Sequence, residues 1–239
     1  AMFPFMTTAL PQIAVGIIDT GVEPEHRLVK PGLKAAKDVD PNGDGKDDNG
    51  HGSWVQSMVW WFAQWLVNSI THYKAFKGGS ATTDDILKAL TEFERDGNVI
   101  GSNSWGDNYG DPRSPESLMV KAIADKGAFL FFAAGNSSGS NTIGAPAIVH
   151  SLSPINGVPR VITVTATTRE EKVASFASRG PRSQATKKDE SYPRKPTAAE
   201  QGVQTEAAWL GGGLRAIPER RCLRLSWLGP WLCWRWLLG

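Results

Sequence analysis

The sequence predicts an α/β fold, a mostly parallel central sheet with helices on both faces. Short apolar runs rich in β-branched residues recur along the chain as far as Ala166. They are continuous rather than alternating, as burial on both faces requires. Between them stand segments with helical periodicity about a dozen residues long, and that alternation implies right-handed crossovers between parallel strands.

"QIAVGIID", from Gln12 to Asp19, reads as the first buried strand, and "KDVDPNGDGKDDNGHGS" as a polar, glycine-rich loop after it. "THYKAF" reads as a further strand. In "TTDDILKALTEFERDG" Ile86, Leu87, Leu90 and Phe93 share one helical face, and acidic residues occupy the first turn. "NVIGSNS" is the next strand. "SPESLMVKAIADKG" has Ser114 as N-cap, Pro115 in the first helical position and Gly127 as the stop. "AFLFFAA" and "RVITVTA" complete the strands, and from Gln184 onward no pattern of either kind is visible. The expected division is therefore a domain over residues 1–183 and an atypical or disordered tail over residues 184–239.

With 239 residues, 41% of them hydrophobic and 21% charged, the chain can bury one sizeable core. A formal charge of +2 with no long basic run gives no footing for nucleic acid. "AMFPFMTTAL" lacks the charged start and apolar centre of a secretory signal, and a leader or pro-segment removed earlier remains open. The two cysteines, Cys222 and Cys233, both fall in the tail and say little about redox compartment.

Ligands in such sheets gather at the carboxyl ends of the strands, and Asp19, Ser104 and the "AAGN" turn are placed there. Asp19 alone reads as readily as a turn cap. His51 in "NGHGS" sits in a polar loop between glycines, where it is either a turn residue or a reactive one. Asn136 in "FFAAGNSSG" could donate its side-chain amide to a developing oxyanion, or form an Asx turn.

In this order "VGIIDTGV", "NGHGS", "NSWG" and "FFAAGNSSG" resemble the subtilisin-like serine proteases, and "VITVTATTREEKVASFASRGP" resembles the segment that follows. The likeness runs from Pro11 to Pro181, with an echo in "KPTAAEQGV". It implies a subtilisin-like fold and serine endopeptidase chemistry, with Asp19 the orienting aspartate, His51 the general base and Asn136 the oxyanion donor. Ser104, Trp105 and Gly106 would pair with extended substrate, and Gly135 joins that binding set. The resemblance further implies protein or peptide substrates, no required cofactor, no transmembrane segment, a monomer, and a secreted or extracytoplasmic setting.

Two departures stand out. Trp54 replaces the family's second histidine, a change expected to alter packing more than chemistry. More severely, no glycine-threonine-serine followed by a small-residue helix is present. Ser175 and Ser178 match a structural segment, and Ser226 lacks a glycine turn to present it. "DPNGDGKDD" also has the alternating oxygens of a calcium loop in Asp40, Asn42 and Asp44, but His51 stands where the closing glutamate belongs, so a solvated turn is the competing reading.

The tail closes on "RLSWLGPWLCWRWLLG", with four tryptophans in it. Tryptophan has the single codon TGG, which out of frame contributes to codons for Leu, Met, Val, Ala and Gly. Joining the third base of each codon to the first two of the next permits "SGTSMSAP-x-VAGAMALLALA" from Ile217 onward. Leu is forced at the Cys233–Trp234 junction. That text matches the family's nucleophile segment, so a shift of reading frame beginning between Ala198 and Ile217 is expected. As written, the chain is expected to be inactive. The alternatives are a non-catalytic peptide-binding protein and membrane-surface association through the Trp- and Arg-rich tail.

Overall fold

The computed structural model describes residues 13–153, 156–203 and 205–217. The first strand, β1 (Ile13–Asp19), is followed by β2 (Leu33–Asp38), helix α1 (His51–Ala63), β3 (Val67–Lys74), α2 (Thr83–Arg95), β4 (Ile100–Asn103), α3 (Pro115–Asp125), β5 (Phe129–Ala133) and β6 (Val161–Thr167). Beyond these come β7 (Ala198–Gln201), β8 (Thr205–Ala208) and β9 (Leu214–Ile217). Seven strands form one sheet in the order β2-β3-β1-β4-β5-β6-β7, and every pair in it is parallel. On one face α2 and α3 bury Leu90, Phe93, Val120 and Ile123. On the other α1 buries Trp54, Val55, Met58 and Val59 against Val15 and Ile17. The expected α/β architecture is present.

Local signals produce α2 and α3 as expected. Thr82 accepts from the Asp85 amide while Asp85 returns a bond to the Thr82 backbone, a complete capping box. The Ser114 side chain caps the amide of Ser117, with Pro115 opening the helix. Gly127 stops it at a φ of +119°.

Two expectations need correction. His51 is not in a loop: it is the first residue of α1 and is buried, 7% exposed. That helix has no polar stripe to announce it, because ten of its thirteen residues are buried. Nor does the fold stop near residue 183. β7 extends the sheet, and β8 pairs with β9 as an antiparallel hairpin that sets Ala207 and Ala208, 4% and 0% exposed, into the core. These strands are four residues each, too short to show a period. Cys222, Ser226, Cys233 and the tryptophan-rich stretch lie outside the described residues.

Trp54 occupies the centre of the α1 layer with no exposure, and its Nε1 has no partner among the described residues. Its value is therefore volume. Trp54→Ala should destabilise the fold by about 3–5 kcal/mol and Trp54→Phe by clearly less, read from chemical denaturation midpoints. Equal losses for the two would contradict a packing role.

Candidate active site

The site is assembled at the carboxyl ends of β1 and β4, the turn after β5 and the first turn of α1. Asp19 ends β1 and is 2% exposed, and its Oδ1 lies 2.7 Å from His51 Nδ1. Burial pushes the Asp19 carboxyl up, but the charge and hydrogen bond of His51, then His72 and the Thr20 amide, hold it below the usual carboxylate range. Asp19 Oδ1 also accepts from the Thr20 amide at 2.8 Å.

The first turn of α1 is held by residues that motif reading passed over. Its N-cap, Gly50, makes no side-chain cap. The Asp47 carboxylate serves instead, accepting from the amides of Gly50 and Ser53 at 2.8 Å each and from Ser53 Oγ at 2.7 Å. Thr20 Oγ1 donates to Asp47 at 2.9 Å and accepts from the Gly52 amide at 2.9 Å. Thr20 thus ties the end of β1 to the turn that projects His51. An aspartate four positions before a helical histidine is the available signal, hidden among the other acids of "DPNGDGKDD". From the other side the hairpin closes on this turn. Trp209 covers Gly50, where a Cβ would meet its ring at 2.5 Å, and Ser57 Oγ accepts from the Ala208 amide at 3.1 Å.

Asp19, Thr20, His51, Ser104, Trp105, Gly106 and Asn136 line a single cleft of about 230 Å³. Trp105 is 9% exposed, its ring set edge-on to Phe132 with centroids 5.2 Å apart. Beyond that segment the Asp107 amide donates to the Ala145 carbonyl at 2.9 Å, which steadies the edge. Gly135 has a φ of +112° and backs onto Ser178 Oγ, which accepts from the Ser137 amide at 3.1 Å. Ser178 is fully buried behind the turn that bears Asn136, a structural place as expected. The expected site residues are thus brought together, and among the described residues the hydroxyls on the cleft belong to Thr20 and Ser104.

A sequence model of the Subtilase family matches residues 11–207. The chain belongs to the subtilase family. Subtilisin-like protease 6 of Arthroderma benhamiae is 32% identical over 181 residues, covering 69% of this chain and 40% of that protein. Serine protease AprX of Bacillus subtilis (strain 168) is 26% identical over 194 residues, covering 71% of this chain and 43% of that protein. The chain thus spans well under half the length of these curated relatives. In fold it resembles the crystal structure of a cold adapted subtilisin-like serine proteinase, with a TM-score of 0.66 and 23% identity over 87% of this chain and 69% of that one.

In the loop before α1 the carboxylates of Asp40 and Asp44 are taken up by neighbouring groups. Asp40 Oδ2 accepts from Lys77 at 2.7 Å, Asp40 Oδ1 from the Asn42 amide at 3.0 Å, and Asp44 Oδ1 from the Lys46 amide at 3.0 Å. Among the described residues no group of three His, Cys, Asp or Glu side chains is arranged to share a metal ion. No described helix is long and apolar enough to cross a membrane.

Proposed function

We propose that this subtilase chain carries the acid, base and peptide-binding half of a serine endopeptidase, and that as written it lacks the nucleophile and hydrolyses no peptide bond. The observation that carries the reading is the shared cleft: a buried aspartate bonded to a histidine at 2.7 Å, with Asn136 and the 104–106 edge lining the same space. In such an arrangement the aspartate fixes the imidazole so that Nε2 accepts a proton from a serine and then returns it to the leaving amine. Asn136, exposed beyond Gly135, would donate to the oxyanion. Substrate would be an extended segment of protein, bound as a monomer-to-chain contact outside the cytoplasm.

The hairpin supports placing the change of frame after Ile217. Leu214–Ile217 pairs residue by residue with Thr205–Ala208, and the Arg215 guanidinium lies over the Trp209 ring at 4.4 Å. Residues read in the wrong frame have no reason to complete a packed hairpin.

With Thr20 and Ser104 as the cleft hydroxyls, binding without hydrolysis is the second reading for the chain as written. Adding a short blocked peptide to the labelled protein should perturb the amides of Ser104, Trp105, Gly106 and Gly135, with an affinity of about millimolar. Perturbation confined to the separate groove between β2 and α2, lined by Lys37, Leu87 and Arg95, would remove both readings of the cleft.

A further inference from the structure

His72 lies in β3, paired in register with Ile17 of β1 and Ala36 of β2, and has no exposure. In the layer between this part of the sheet and α1, beside Val15, Ile17, Trp54 and Val55, His72 Nδ1 faces Gln56 Oε1 at 3.0 Å. A polar pair in such a layer is unfavourable unless its hydrogen bonds are complete. Here His72 Nε2, Gln56 Nε2 and Asp19 Oδ2 are all buried without a partner among the described residues. The Nε2–Cε1 edge of His72 lies under Gly52: a Cβ on Gly52 would stand 2.9 and 3.0 Å from those atoms and collide with the Gly21 carbonyl oxygen. The histidine therefore sits between the end of β1 and the turn that carries His51.

The chemistry of the pair selects a tautomer. With the Gln56 carbonyl on Nδ1, that nitrogen holds the proton and Nε2 turns a lone pair toward the Asp19–Gly21 segment, which already presents oxygens. With the amide rotated, its NH₂ donates to Nδ1 and the ring proton sits on Nε2, facing those oxygens. Either arrangement leaves Nε2 without a hydrogen-bond partner among the described residues, but the second turns a proton rather than a lone pair toward those oxygens.

We propose that His72 is a positioning residue for the Asp19–His51 pair: a neutral imidazole, protonated on Nε2, that turns a positive dipole to the buried side of Asp19 and props the first turn of α1. This rests on reading Asp19 and His51 as orienting acid and base. Burial lowers the His72 ring to about 4, opposed by Asp19 on β1 and Asp47 before α1, while His51 on α1 and Lys74 on β3 push it further down. It is therefore uncharged at neutral pH, where it acts on Asp19 through its dipole alone. The folded value lies below the ordinary 6.5, so the unfolded chain binds the extra proton first. Stability contributed this way is present above that ordinary value and is lost as pH falls toward about 4.

Imidazole ¹⁵N spectra of the chain as written test this between about pH 5 and 9, without requiring activity. His72 should read as the neutral Nε2–H tautomer throughout. In His72→Phe the titration midpoint of the His51 ring should rise by about half a pH unit or more, since Asp19 loses a dipole and draws the His51 proton harder. His72→Gln, which keeps an N–H donor, should return most of that shift. An Nδ1–H tautomer in the unmodified chain overturns the proposal, and so does an unmoved His51 midpoint in folded His72→Phe or His72→Gln with no difference between them. Asp19→Asn separates the layers: if it too leaves His51 unmoved, the Asp19–His51 reading itself has failed.

Discussion

A fluorophosphonate probe should leave the chain as written unlabelled, and inserting one base between the codons of Ile217 and Pro218 should make it react. On the proposed reading of the frame, the inserted base gives Ser-Gly-Thr-Ser directly after Ile217, followed by a small-residue segment in place of the tryptophan-rich tail. β9 is the last described strand and belongs to the hairpin that meets α1 at Ser57 and covers Gly50 before it. The restored serine would thus enter the chain at the end of an element already tied to the turn that carries His51. Removing the nucleophile lowers turnover by about 10⁶ in subtilisin itself, so the gain on restoring the frame should reach several orders of magnitude with a peptide anilide substrate. Covalent labelling anywhere in the unmodified chain would sink the claim that it lacks a nucleophile. A restored chain that folds and still fails to label would sink the claim about the frame.

In the frame-restored chain Asp19→Asn should lower kcat by about 10⁴ with KM little changed. The carboxylate is buried, and its Oδ1 is the atom that faces His51 Nδ1. An amide in its place either offers an N–H to Nδ1, which forces the wrong tautomer, or an oxygen without the charge that stabilises the imidazolium. The 104–106 edge is untouched by this change, which is why binding should persist. A loss of less than tenfold, or a rise in KM that accounts for the whole effect, would remove Asp19 from the orienting role.

Much of the scaffold was legible because its signals are local. β1, β5 and β6 are continuous apolar runs, and α2 and α3 carry their own caps. α1 escaped notice for the opposite reason: a helix buried on nearly every side has no amphipathic period, and its cap, Asp47, is supplied from four residues outside it. β7, β8 and β9 are too short for a pattern, and only their partners make them strands. The site divided in the same way. Asp19, His51, Asn136 and the 104–106 edge were readable from short motifs in a fixed order. Thr20, Asp47 and His72 were not, since each acts through a contact across the chain.

By itself the sequence determined the family, the order of the strands and helices with local periodicity, the candidate acid, base and oxyanion donor, and the missing serine motif. These depend on residue type and spacing along the chain. Only the tertiary structure decided that His51 opens a buried helix, that a polar histidine stands behind the Asp19–His51 pair, and that the fold continues to Ile217 through a packed hairpin. Those facts depend on which surfaces meet, and burial between distant segments leaves no period in the sequence to announce it.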